Sequence, residues 1–318
     1  LVNSVRMKTN FRIFLLIGIL ALLSAIPLLG SFYTQLFTRV LIWAIFAISL
    51  DLLVGYTGLI SLGHAAFFGT GAYVLGMVFK NSPEINLLVA LPLSLIGSAL
   101  LALLIGAACL RTRGVYFIML SLAFAQMLYF FAFQTNYLGG DDGIFLLGRP
   151  TMRIGTIELI DLSRSENIYI FVLTCLVLLL IFMNKLIASP FGKVLYGIKH
   201  NETRMRSLGY PVYRFKLISF IIAGTLGGLS GFLEASHSGY INPSFFYWHE
   251  SGLVLVMVVL GGMGTFYGPV LGASLVILLE NFLPDLFESS QLALGTIIVL
   301  IVLFMPRGLF GILQRKNI

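Results

Sequence analysis

SPFGKVLYGIKHNETRMRSLGYPVYRFK, residues 189–216, lies between two long apolar stretches of a chain that is 58% hydrophobic and 10% charged. It carries six cations, Lys193, Lys199, Arg204, Arg206, Arg214 and Lys216, against one acid, Glu202. A basic segment between two membrane spans is expected on the cytoplasmic side. This one also holds helix punctuation. Ser189 followed by Pro190 is an N-cap and then the proline favoured at the first helical position. Asn201 can cap a second short helix, with Glu202 at its positive end and cations after it. Gly209 and Pro211 read as its stop. Two readings stay open for such a loop: a solvated linker that only sets orientation, or a helical element shaped to be touched by a partner.

Outward from this loop the chain is mostly oil. A mean hydropathy of +0.99 excludes a soluble globular domain. The 33 glycines and 10 prolines sit in too apolar a context for disorder, and glycine is common in packed membrane helices. Crossing about 30 Å of hydrocarbon takes roughly 20 residues. Segments that meet or approach this run near 13–30, 36–54, 62–79, 87–108, 115–135, 168–187, 217–235, 251–262, 268–283 and 291–305. The fold class expected is all-α: one polytopic membrane domain over 1–318 with about ten transmembrane helices, some broken or re-entrant at glycines. Cys109 and Cys175 fall inside apolar runs without ligand spacing and read as inert buried thiols. The first apolar run lacks a small-residue cleavage pattern and is kept as a span. The chain opens on Leu1 and its first methionine is Met7, which an alternative start codon or a truncated end would explain.

Charge orients the spans. With the N-terminus inside, Arg6, Lys8, Arg12, Arg111, Arg113, Lys185, the six loop cations, Arg307, Arg315 and Lys316 are cytoplasmic, fifteen of the twenty Lys and Arg. Arg39, Lys80, Arg149, Arg153 and Arg164 stay outside, together with Glu84, Asp141, Asp142, Glu158, Asp161, Glu166, Glu250, Asp285 and Glu288. The asymmetry predicts N-in and C-in with an even number of spans. The net charge of +7 then concerns orientation and lipid headgroups, not nucleic acid. Residues 136–167 form the longest external connection. Turn chemistry at 139–143 and alternation in RIGTIELIDL predict a small hairpin there; it is either a plain loop or an ordered cap that meets a partner.

Two glycine-rich patches flank the middle of the chain. GYTGLISLGHAAFFGTGAYVLG, residues 55–76, carries Gly55 and Gly58 where the helix should break, and Gly63, Gly69 and Gly71 where another helix can come close. GGMGTFYGPVLGAS spans 261–274. Glycine-broken spans in the two halves of a transporter often border its pathway, since irregular backbone at membrane depth needs protein or a water-filled cavity beside it. Tight packing is the plainer explanation. Ionisable groups at membrane depth are few: Asp51, His64, Glu234 and Glu280. Glu234 and Glu280 can also be read as lying near the outer headgroups, and His64 as a packing residue. The pathway candidates are Asp51, Gly55, Tyr56, Gly58, Ser61, His64, Gly261, Gly262 and Gly264.

Signals for catalysis are poor. There is no HExxH, no GxSxG and no phosphate-cradling GxxxxGK[ST], so no catalytic residue, metal or cofactor is expected. His200 and Glu202 lack a third partner, and His237 and His249 belong to an external loop. Asn242-Pro243-Ser244 occurs once and outside the spans, which argues against a water-channel signature. A chain without its own nucleotide site can still be driven by ATP if a short cytoplasmic helix seats in a groove of a separate ATPase.

At this point SPFGKVLYGIKHNETRMRSLGYPVYRFKLISFIIAGTLGGLSGFL resembles the coupling region of permeases in branched-chain amino-acid ABC importers. ISLDLLVGYTGLISLGHAAFFGTGAYV resembles the M-type rather than the H-type subunit. LRTRGVYFIMLSLAFAQM, GGMGTFYGPVLGA and the closing PRGLFG fit the same family, and together these cover most of 45–310. The resemblance implies a ten-span permease of a bacterial or archaeal cytoplasmic membrane. It would pair with a homologous second permease, two cytoplasmic ATPase subunits and an extracytoplasmic substrate-binding protein. It implies that 189–216 is the coupling loop, with Asn201, Glu202, Thr203, Arg204, Met205, Arg206, Ser207 and Leu208 as its coupling helix, and that Gly55–Tyr73 is the signature broken-helix region. Urea and short-amide permeases are close relatives, so a urea or amide substrate is an alternative. An ion-coupled secondary transporter built on Asp51, Glu234 and Glu280 is a second alternative.

Overall fold

The computed structural model describes residues 25–81, 86–146, 148–154, 157–265, 267–287, 289–305 and 308–309. Most of the span expected at 13–30 lies outside these residues. So do Arg6, Lys8, Arg12, Glu84, Glu288, Arg307, Arg315 and Lys316, and all but two residues of the closing PRGLFG.

The described chain is a bundle of apolar helices. In order they are α1 (Ser31–Asp51), α2 (Ala65–Asn81), α3 (Leu87–Cys109), α4 (Val115–Gln134), α5 (Ser165–Ala188), α6 (Pro190–His200), α7 (Glu202–Ser207), α8 (Val212–Ser238), α9 (Trp248–Gly261), α10 (Gly268–Phe282) and α11 (Ser290–Phe304). The apolar runs expected from the sequence between 36 and 305 each coincide with one of these helices to within a few residues. Among the described residues five helices are long and apolar enough to cross a membrane, and three shorter apolar ones follow. The protein is therefore an all-α, multi-pass membrane protein.

Burial separates the centre from the rim. In the apolar stretch of α1 89% of residues are buried, against 28% in α3 and 22% in α4, so α1 is the hub and the others present a face outward. Leu104, Tyr116, Met119, Leu178 and Leu303 are among the large apolar side chains left exposed, as expected where hydrocarbon is the solvent.

Around the hub, α8 packs on α1, α2 and α3. Small residues make this possible: GTLGGLSG, residues 224–231, puts glycines at helical spacing on the faces of α8 that meet α2 and α3. A Cβ on Gly71 would run into the Gly228 carbonyl, one on Gly231 into the Phe68 carbonyl, and one on Gly228 into the Ser98 hydroxyl. Backbones at such range gain dispersion contacts that bulkier side chains would forbid. Close approach at Gly71 agrees with the sequence expectation for the first patch, and the stripe on α8 that meets it has the same helical spacing.

Two small β pieces occur among the described residues. The hairpin expected in 153–162 is present: β2 (Thr151–Ile154) pairs antiparallel with β3 (Ile157–Asp161), with a register irregularity between Met152 and Arg153. Earlier in the chain, β1 (Ile144–Phe145) pairs antiparallel with β4 (Tyr240–Ile241). Arg149 fastens this end, donating from Nη2 to the His237 carbonyl at 2.9 Å. Arg149 and β1 thus tie the described part of this connection to the end of α8 and the strand that follows it.

Candidate coupling site

The site is built from segment 189–216 and the break that follows α1. Ser189 Oγ accepts from the Gly192 N–H at 3.4 Å and Pro190 opens α6, as expected. Asn201 caps α7, its Oδ1 accepting from the Arg204 N–H at 2.9 Å. At the far end Gly209, with φ of 84°, closes a Schellman motif: the Tyr210 N–H donates to the Met205 carbonyl at 3.2 Å and the Gly209 N–H to the Arg206 carbonyl at 3.0 Å. A six-residue helix is too short to hold itself, so caps and packing must fix it.

α7 has two faces. Glu202 and Met205 turn inward, while Thr203, Arg204, Arg206, Ser207 and Leu208 are exposed, Leu208 by 66%. Met205 lies on Gly197 of α6, where a Cβ would come within 2.8 Å of its sulfur. Glu202 gathers three cations: Arg206 and Lys216, each at 2.8 Å, and Arg113 at 3.7 Å. Partial burial by itself would raise the Glu202 carboxyl. The Lys216 hydrogen bond and the charges of Lys216, Arg113 and Arg206 outweigh it and hold the group below its ordinary value of 4.5. One carboxylate thereby ties α7 to the start of α8 and to the α3–α4 connection.

α6 reaches the break directly. Past Asp51 the helix widens into a π turn, Leu52–Thr57, and ends at Gly58 in the left-handed conformation, φ 74°. Lys199 Nζ donates to the Gly55 carbonyl at 2.6 Å. Just before this turn, Asp51 Oδ1 accepts from the Gly264 N–H at 2.8 Å. Gly55 packs so closely here that a Cβ would fall on Asp51 Oδ1 and the Gly264 backbone. The two glycine patches of the sequence are therefore in contact, with Asp51 between them.

The remaining candidates fall around this knot. Tyr56 and Ser61 are buried, and Ser61 Oγ accepts from the Gly63 N–H at 3.3 Å. His64 is fully buried, stacked on Phe46, with Nε2 at 2.8 Å from Ser49 Oγ. Gly261 abuts the Gly268 carbonyl, and Gly262 and Gly264 turn the chain with φ of 112° and 71°. Gly58 borders an open cleft, which it shares with Leu59, Arg113 and Glu202. Glu234 and Glu280 are at the opposite end of the bundle, where Glu280 pairs with Arg39 at 3.6 Å. In the sequence Lys199 is one loop cation among six. Its place opposite Gly55 is a long-range contact, and nothing in local spacing announces it. Among the described residues no three His, Cys, Asp or Glu side chains gather in a way that could hold a metal.

A bundle of apolar helices whose central helix ends in a π turn, tied through Lys199 to the capped, basic segment 189–216, has the build of a multi-pass membrane protein. Comparison with known proteins makes this specific. Residues 32–305 match the family described as branched-chain amino acid transport system, permease component, and the chain belongs to that family. It is similar to the high-affinity branched-chain amino acid transport system permease protein LivM of Escherichia coli, 30% identical over 331 residues, 95% of this chain and 76% of that protein. The LivM of Salmonella typhimurium is 30% identical over 296 residues, 86% of this chain and 68% of its own length. A probable LivM from Methanocaldococcus jannaschii is 23% identical over 331 residues, covering 86% and 93%. No solved structure matches the chain. It is thus an ABC permease subunit, a transport component and not an enzyme.

Proposed function

We propose that this permease admits branched-chain, hydrophobic amino acids to the cytoplasm by alternating access, driven by ATPase subunits that press on Asn201–Leu208. The observation that carries the reading is the double tie of segment 189–216. Met205 rests on α6, whose Lys199 holds the broken helix at Gly55, and Glu202 holds Lys216 at the start of α8. Displacing α7 must therefore move the break in α1 and the glycine-packed α8 together. Asp51 and Gly264 then carry the displacement to the second glycine patch.

The assembly is a ten-span chain, N-in and C-in, in a bacterial or archaeal cytoplasmic membrane, with a homologous second permease, two ATPases and an external binding protein. The placement of cations supports this orientation, since α6 and α7 belong to the basic end. The names of the curated relatives support the substrate class. The β2–β3 pair and the tie of Arg149 to α8 suit a docking face for the binding protein. The test is ATP-driven leucine uptake by the reconstituted complex, with and without Arg204→Glu and Arg206→Glu together. Coupled uptake in the native complex and ATP hydrolysis without uptake in the double variant are expected. Uptake that follows an ion gradient and needs no ATPase would reject the reading.

A further inference from the structure

A cleft of about 220 Å³ opens between the end of the broken helix, the α3–α4 connection, α7 and the start of α8. Its walls divide by chemistry. Leu59, Ile60, Phe117 and Ile118 make one side apolar, and Arg113, Lys216 and Glu202 make the other charged. The charged side is unbalanced toward cations, because Arg113, Arg206 and Lys216 share the single Glu202 carboxylate. Gly114, at the rim, adds to this. It is the N-cap of the twenty-residue α4 and has no side chain to offer the first-turn N–H groups, so the positive end of the helix faces the cleft region uncapped. The volume equals roughly seven waters at about 30 Å³ each. That suits a molecule the size of an amino acid and is below the roughly 300–1,000 Å³ of larger ligand pockets.

We propose that this cleft binds the zwitterion of an apolar α-amino acid from the cytoplasmic side, and that its occupancy restrains α7. The carboxylate faces Arg113, Lys216 and the start of α4. The ammonium faces Glu202, and the aliphatic side chain lies on Leu59, Ile60, Phe117 and Ile118. Glu202 opens α7, and Leu59 and Ile60 directly follow the break held by Lys199. A bound amino acid therefore bridges the two parts that must move relative to one another, and accumulated product slows the stroke. This inference rests on the importer reading above and adds a product-sensing site to it.

The test uses the intact complex. Labelled leucine binding to the purified permease–ATPase complex, without its binding protein, is measured by equilibrium dialysis. ATP-driven uptake is measured in liposomes preloaded with leucine. Internal leucine is expected to slow initial uptake several-fold. Glycine, leucinamide and 4-methylpentanoate each lack one of the three recognised groups and should be at least tenfold less potent. Arg113→Gln and the cleft-filling Ile118→Trp should each raise the half-inhibitory leucine concentration at least tenfold, measured against each variant's own uninhibited rate. Full potency of leucinamide or 4-methylpentanoate, or unchanged inhibition in both variants, overturns the site. A complex that imports leucine yet shows no binding sensitive to Arg113 also overturns it. Binding sensitive to Arg113 in a complex that imports no leucine keeps the site and rejects the importer reading instead.

Discussion

Lys199 and Gly55 are joined by a 2.6 Å hydrogen bond from the ammonium to the backbone carbonyl, and this bond links the exposed end of the protein to the break in its central helix. A π turn widens the helix and leaves its carbonyls less well matched to donors in the next turn. A cation that supplies the missing donor makes the geometry of the turn depend on where α6 stands.

Lys199→Met removes the donor while keeping much of the stem. A hydrogen bond to a charged group contributes about 1.5–3 kcal/mol, so the balance between two positions of the break should shift by tenfold or more. The expected result is a large drop in leucine imported per ATP hydrolysed, with Lys199→Arg recovering part of it. Equal stoichiometry in native and methionine forms, measured in the same liposomes, would remove Lys199 from the coupling route.

Glu202 gives the site a pH dependence with a defined sign. Its carboxyl is held below the ordinary 4.5 in the folded protein, so the tie it makes is fully present above that value and is lost as pH falls through the lowered one. A spin label at Ser207→Cys should therefore report an ordered α7 at neutral pH and a mobile one only once the pH has fallen below the ordinary carboxylate range. Glu202→Gln should give the mobile spectrum at every pH. An unchanged spectrum in that variant would show that the Asn201 and Gly209 caps hold α7 without the ion pairs.

Much of this arrangement was legible in the sequence, and the limit has a physical cause. Span positions follow from local apolar length, and α7 follows from Asn201, Glu202, Gly209 and Pro211, because capping acts within one turn. The pairs that turn these elements into a site are tertiary: Lys199 with Gly55, Asp51 with Gly264, and Glu202 with Lys216 and Arg113. Each partner could be singled out as unusual, yet no local rule says which meets which. The glycines of α8 were different, since their helical spacing was there to be seen and only their partners on α2 and α3 were hidden.

Helix packing offers a contrast between two helical glycines. Gly71→Ala places a methyl on the Gly228 carbonyl, whereas Gly252→Ala meets nothing within 4 Å. Overpacking costs about 1–3 kcal/mol, and replacing an open helical glycine by alanine gains about 0.5–1 kcal/mol. The detergent-solubilised complex should lose several degrees of melting temperature for the first change and hold or gain slightly for the second. Equal melting of the two variants would mean that α2 and α8 are not closely packed.

Asp51 is separable from a titrating role by its acceptor geometry. Its Oδ1 takes the Gly264 N–H at 2.8 Å in a site where the residue is 2% exposed. Asp51→Asn keeps an acceptor oxygen in place, and Asp51→Ala leaves a poorly accessible N–H without a partner, at about 1–3 kcal/mol. If Asp51 works by holding the second glycine patch, the asparagine form should keep most of both thermal stability and uptake while the alanine form loses both. An ion-coupled pathway through Asp51 demands the opposite pattern, with uptake abolished in the asparagine form although its stability is intact. Melting curves and leucine uptake on the same two preparations decide between these mechanisms, because an acceptor-only role cannot separate the two readouts.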